Sequence, residues 1–302
     1  MLFYILYPLL WLLAWLPLPI LYVFADVLCP LLHYVVRYRV CTVRTNITKA
    51  FPEKDARERR RIERRFYHHL CNYIVETLWM LHATPLQIRR RINFDNLQVL
   101  YDAIAEGHDI IALFGHYCNW EWVCSIPLSM RADIQIGTIY KPLKNKNFDR
   151  FCIKLRSRFG TECIPRQRTL RVIAAHKQAQ QPYVLAFIAD QTPSVNNIHY
   201  WTQFLHQDTP FITGWEQIAR RTNDTVVFLE MQRVRRGHYH CSIHRLAVQP
   251  ATSEPFAATQ CYAQMLEANI RLQPELWLWS HRRWKHHRNN HEVPTATLLP
   301  MD

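Results

Sequence analysis

The residues best suited to chemistry lie together in Gly115-His116-Tyr117-Cys118-Asn119-Trp120-Glu121. An imidazole can accept a proton near neutral pH, and a carboxylate can orient the ring and stabilise its charged form. His116 follows the apolar run 110–114, which reads as a buried strand of a parallel sheet. Gly115 then allows a sharp turn, so His116 sits just past the carboxyl end of a strand, where open α/β sheets place their ligands. Glu121 comes five residues later. On one continuous helix that step rotates about 140°, so the two would face apart. The pair works if His116 is in the loop, Glu121 is in the first turn of the next helix, and the carboxylate folds back onto the imidazole. A zinc site of the metalloprotease kind needs two His at i and i+4 with a Glu between them, and this stretch lacks that pattern.

Other polar groups follow apolar strands in the same way: the Tyr140-Lys141 pair, Arg166 and Asp190. Such convergence is what a site at a sheet edge requires. A His–acid pair can activate a hydroxyl directly, so transfer of a group to that hydroxyl needs no covalent enzyme intermediate. Backbone amides near Gly115 or a nearby Arg are candidate oxyanion donors. Cys118 offers a rival thiol nucleophile, but no cysteine-enzyme signature surrounds it. Lys141, Arg166, Arg220 and Arg221 are cations suited to a phosphorylated acceptor or carrier; each is also explained as ordinary surface charge.

The elements that must position these groups alternate. Strands are expected at 110–114, 134–140, 163–165, 183–189, 226–231 and 239–246. Helices are expected at 95–106, with Asp95 as cap, and at 144–159, 170–180, 214–222 and 255–272. This predicts an α/β fold with a mixed, mostly parallel sheet flanked by helices. The chain has 302 residues, 49% of them hydrophobic, with a formal charge of +13 that favours an anionic partner. Nine scattered cysteines without a C-x-x-C pair argue for reduced thiols rather than a zinc module or disulfide framework.

Residues 1–36 are almost continuously apolar, with Asp26 the only acidic residue and no Lys or Arg before Arg37. That length suffices to cross a bilayer. Pro8, Pro17, Pro19 and Pro30 predict one kinked span or two short helices in one leaflet, with Tyr4, Tyr7, Trp11, Trp15 and Tyr22 as interfacial anchors. Arg37, Arg39, Arg44 and Lys49 then put the body of the protein on the cytoplasmic side. A helix is expected at 55–82. Its arginine-rich first half reads first as a solvated face, then as contact with anionic headgroups; no motif supports nucleic-acid binding. The expected division is a membrane anchor at 1–40 and a catalytic domain at 41–302. The latter comprises a helical segment at 41–90, an α/β core at 91–285 and a polar tail at 286–302.

Gly115-His116 with Glu121 resembles the His-x4-Asp/Glu motif of glycerolipid acyltransferases. Three further features narrow the resemblance to the bacterial lipid A (lauroyl/myristoyl-type) acyltransferase family: Asn46 with Ala50-Phe51-Pro52, Asp190-Gln191, and Pro274-Glu275 followed by Trp279-Ser280-His281-Arg282-Arg283-Trp284-Lys285. The resemblance implies a glycerolipid-acyltransferase-like fold. It also implies a fatty-acyl thioester donor (acyl carrier protein or CoA) and a lipid A precursor as acceptor, at the bacterial inner membrane, with no cofactor beyond the thioester co-substrate. It gives His116 and Glu121 the catalytic roles and strengthens Arg166 and Arg221 as substrate-binding residues. Asp190 with Gln191 would position an Arg or a substrate hydroxyl, and Arg282 with Arg283 would organise the site from behind or touch headgroups. Tyr117, Cys118 and Trp120 are bulkier than the family's usual residues, and 194–211 lacks Gly, which bears on the acceptor. Rival readings are the same chemistry on another bacterial lipid (an aminolipid, glycolipid or lysophospholipid), a hydrolase, and a non-catalytic adaptor that binds anionic membrane.

Overall fold

The computed structural model describes residues 2–288, with only the backbone at 2–7. Tyr4 and Tyr7, expected as anchors, and most of the expected polar tail, 289–302, lie outside what is described. The amino-terminal run forms two helices, α1 (Leu2–Leu13) and α2 (Leu18–Pro30), with Pro17 capping the second at φ −54°. Proline suits a helix start, where its missing N–H costs nothing. Pro30 is followed by a π-helical turn, Leu31–Val35. Among the described residues, Leu18–Val35 is the one segment long and apolar enough to cross a membrane, with a mean hydropathy of 1.7. One side of it is occupied: Leu18, Leu21 and Ala25 are buried, and Tyr22 Oη donates to Glu76 at 2.8 Å.

Next come α3 (Val40–Ala50) and α4 (Ala56–Trp79). Asp55 starts α4 with a reciprocal cap: its carboxylate accepts from the Arg57 and Glu58 amides, and Glu58 accepts from the Asp55 amide. Beyond α5 (Pro85–Arg89), strands and helices alternate: β1 (Ile92–Asp95), α6 (Gln98–Ala105), β2 (Ile110–Phe114), β3 (Gln135–Tyr140), α7 (Lys146–Arg156), β4 (Glu162–Pro165), α8 (Thr169–Gln178) and β5 (Tyr183–Ile188). A hairpin of β6 (Trp201–Phe204) and β7 (Gln207–Pro210) follows. The chain then forms α9 (Gly214–Thr222), β8 (Thr225–Arg235), β9 (His238–Arg245) and α10 (Ala257–Leu272).

Seven strands form one sheet in the order β1-β9-β8-β2-β5-β3-β4, and only the β8–β9 pair is antiparallel. The expected α/β class and mostly parallel sheet are therefore what the chain adopts. Every residue of β2 is buried, as a central strand covered on both faces requires. Asp95 is not a helix cap. It ends β1, pairs with Ser242 of β9, and the next helix starts at Gln98. Burial of Ile92 and Phe94 on one strand face outweighs the local capping signal. The Gly-free segment 194–211, for which no strand was expected, contains the β6–β7 hairpin, with Leu205 and His206 at φ 50° and 61° as its turn.

Candidate active site

Strands β2 and β5 are parallel neighbours with Phe114 opposite Ile188. Two residues beyond those ends stand His116 and Asp190, so the register alone brings them abreast. His116 Nδ1 lies 2.6 Å from Asp190 Oδ1. Asp190 Oδ2 accepts from the His116 backbone N–H at 2.8 Å and from Trp277 Nε1–H at 2.8 Å. Burial pushes the Asp190 carboxyl up, but the charge and hydrogen bonds of His116, with Trp277, more than offset this and hold it down to about 2. An ionised carboxylate only accepts, so Nδ1 carries a proton, and in the neutral ring Nε2 is the nitrogen with the lone pair. That lone pair faces Gln191, whose Nε2 lies 3.1 Å away. The result is a base with its orienting carboxylate, at the carboxyl edge of the sheet.

Gly115 is required here for space rather than for its backbone angles. A Cβ at this position would lie 2.7 Å from Leu266 Cδ1 and 3.2 Å from Asp190 Oδ2. The carboxyl-terminal segment straps the loop in place. Cys118 N–H donates to Leu276 O at 3.0 Å, Leu278 N–H to His116 O at 3.0 Å, and Tyr117 Oη to Gln273 O at 3.0 Å. Asn46 Nδ2 in turn holds the Trp279 and His281 carbonyls, each at 2.9 Å. Trp277, which positions Asp190, has no chemical signature in the sequence; it reads as one more core aromatic. Of the backbone amides near Gly115, those of His116, Tyr117 and Cys118 are all engaged within the protein.

His69 supports the same loop from α4. Buried, it bonds through Nε2 to Cys118 O at 3.2 Å. Burial pushes its pKa down to about 3, while an unfolded His titrates near 6.5. Between those values the unfolded chain binds a proton that the folded chain refuses, so acid favours unfolding. Stability is expected to fall as pH drops from about 6.5 towards 3, by up to about 1.4 kcal/mol per unit for this group. Thermal melts across that range should fall less steeply for His69→Gln; parallel curves would refute the assignment.

Glu121 does not reach His116. It lies in a 3₁₀ segment, Trp120–Ser129, and both its carboxylate oxygens bind Arg156 of α7, at 2.7 and 2.6 Å. The sequence-based pairing of His116 with Glu121 is therefore replaced by His116 with Asp190. The 3₁₀ geometry turns Glu121 into the protein, where a guanidinium from a distant helix neutralises it. Trp120 beside it packs edge-on against His116, with centroids 5.2 Å apart.

Of the other candidates, Lys141 and Arg166 follow β3 and β4 at the same sheet edge as His116, as expected; both are exposed. Arg220 and Arg221 do not join them. They end α9, which leads into the start of β8, so they lie at the opposite edge of the sheet. Arg220 there donates to Ser253 O at 2.6 Å. Arg282 is exposed. Arg283 is wholly buried: its Nη2 donates to Pro210 O at 2.7 Å and its guanidinium lies 4.7 Å from the Phe211 ring centroid. It therefore stands inside the protein, out of contact with solvent. Cys118 is buried, and burial pushes its thiol well above the ordinary range, which suits packing and not nucleophilic attack.

Comparison with known families finds that the model described as bacterial lipid A biosynthesis acyltransferase matches residues 1–286. No curated protein matches the chain. Coverage of nearly the whole sequence, from the apolar amino terminus through both strand-end residues to the carboxyl-terminal strap, decides the assignment. The chain belongs to the bacterial lipid A biosynthesis acyltransferase family and is an acyltransferase.

Proposed function

We propose that this enzyme moves a fatty acyl chain from an acyl thioester to a hydroxyl of a lipid A-type glycolipid precursor, at the cytoplasmic face of the inner membrane. The observation that carries the mechanism is the His116–Asp190 pair, in which Asp190 takes Nδ1 and leaves Nε2 of His116 beside Gln191. Nε2 removes the acceptor hydroxyl proton as that oxygen attacks the thioester carbonyl. Asp190 stabilises the imidazolium that forms. The tetrahedral intermediate collapses, the carbon–sulfur bond breaks, and the departing thiolate takes the proton back from Nε2. No cofactor takes part, and the donor is an acyl carrier protein or CoA thioester. Membrane residence is supported by the exposed apolar residues Val23, Phe24, Val27 and Leu31, and the cytoplasmic side by the arginines that follow at once.

The test is mass spectrometry of lipids from cells lacking the protein, complemented with wild type or His116→Ala. Loss of one acyl chain from a glycolipid, restored by wild type and not by the variant, is expected. Equal restoration by both would show that His116 is structural.

Gln191 is the nearest candidate for the oxyanion donor. Its amide occupies the open side of the base, and an arriving hydroxyl would displace it towards the reacting carbonyl. Gln191→Ala is then expected to lower kcat about 10²-fold, the usual effect of losing one such donor. Were Gln191 merely an occluding group, the same variant would be as fast as wild type or faster.

A further inference from the structure

Beyond the turn that ends the apolar amino-terminal segment lies a cleft of about 400 Å³. Five arginines line it: Arg37, Arg44, Arg57, Arg60 and Arg64, with Glu63 as the one carboxylate. Arg57, Arg60 and Arg64 recur at helical spacing along one face of α4. Arg37 comes from the turn itself, at φ 54°. Glu63 is already spent. It accepts two bonds from Arg44, at 3.0 and 2.9 Å, and a third contact from His33 at 3.0 Å. Glu58 is committed to the cap of α4. Among the described residues, Arg37, Arg57, Arg60 and Arg64 have no carboxylate partner. Convergent unpaired guanidinium forks are suited to phosphate oxygens.

The surroundings indicate where that phosphate comes from. Val23, Val27, Leu31 and Val35 form an exposed apolar row that leads down α2 and the π-helical turn to this cleft. Free phosphate or an acidic protein would satisfy the arginines and make no use of the adjoining apolar row. A molecule with an anionic head on apolar chains satisfies both surfaces. We propose that this cleft binds the phosphate headgroup of an anionic bilayer phospholipid, whose acyl chains lie along the apolar row. The site is separate from the catalytic pair: none of the five arginines bonds to His116, Asp190 or Gln191. It therefore stands or falls independently of the acyl-transfer mechanism.

Native mass spectrometry of the full-length protein in detergent tests this, using phosphatidylglycerol and phosphatidylcholine of identical chains. Wild type is expected to retain the anionic lipid at least tenfold better. The variant R57Q/R60Q/R64Q should lose that preference, at roughly fivefold per arginine. The variant R61Q/R65Q removes charge from the same helix outside the cleft and should keep it. Equal retention of both lipids by wild type would overturn the proposal, as would equal losses in the two variants, which would mean bulk charge alone. Displacement of the lipid by millimolar inorganic phosphate would assign the cleft to a free anion instead. Unchanged lipid retention in R57Q/R60Q/R64Q, together with lost binding of an acidic acyl carrier protein, would assign it to a protein partner. Should that triple variant misfold, the wild-type comparison and the phosphate competition still decide the question.

Discussion

Asp190→Asn is expected to lower kcat about 10⁴-fold, with KM changed far less, because the substitution leaves His116 no good tautomer. Asp190 accepts from three donors: His116 Nδ1, the His116 amide and Trp277 Nε1. An asparagine in one orientation turns its NH₂ against the amide and indole donors. In the other it turns NH₂ against Nδ1 and forces the proton onto Nε2, where the base lone pair must be. Either way the imidazolium of the transition state loses its counter-charge. Steady-state kinetics with an acyl thioester and a lipid acceptor would read the effect, with a thermal melt to show the variant folded. A loss of under tenfold in a folded variant would mean that Asp190 does not orient the base.

Both members of that pair are visible in the sequence as polar residues at strand ends. Their partnership is not, because it depends on Phe114 lying opposite Ile188, a register between strands separated by a β-α-β-α stretch. Glu121 is the nearer acid along the chain, and sequence proximity favours it. Its true partner, Arg156, is supplied by a helix that only the fold brings near. The place of Arg221 is legible in the chain order. A helix that feeds a parallel strand ends at the strands' amino edge, away from the site, and α9 feeds β8 in this way. The central strands were legible because fully buried parallel strands are short, continuous apolar runs, whereas the edge strand β1 alternates and was not legible. The β6–β7 hairpin was not, because its turn is Leu205-His206, with none of the Gly or Asn that usually marks one.

The Glu121–Arg156 pair gives the second large expectation, and it separates structural from catalytic roles for the motif acid. Glu121 is buried and Arg156 largely so, with two parallel charge-assisted bonds between them. Removing one partner strands a charge in the interior, which typically costs about 3–5 kcal/mol. Glu121→Gln and Arg156→Met should each lower stability by about 3 kcal/mol or more. The double variant Glu121→Leu with Arg156→Met replaces both charges with apolar groups and should recover most of that loss. Denaturant titration of the four proteins would complete the cycle. On this geometry Glu121→Gln acts on folding, and its kcat per folded molecule falls far less than that of Asp190→Asn. The 3₁₀ segment also carries Trp120 against His116, so a modest loss of about tenfold is consistent with a displaced wall of the site. A loss of about 10³-fold or more at unchanged stability would reverse the assignment, because an acid that acts only through its ion pair cannot slow the chemistry while leaving the fold intact.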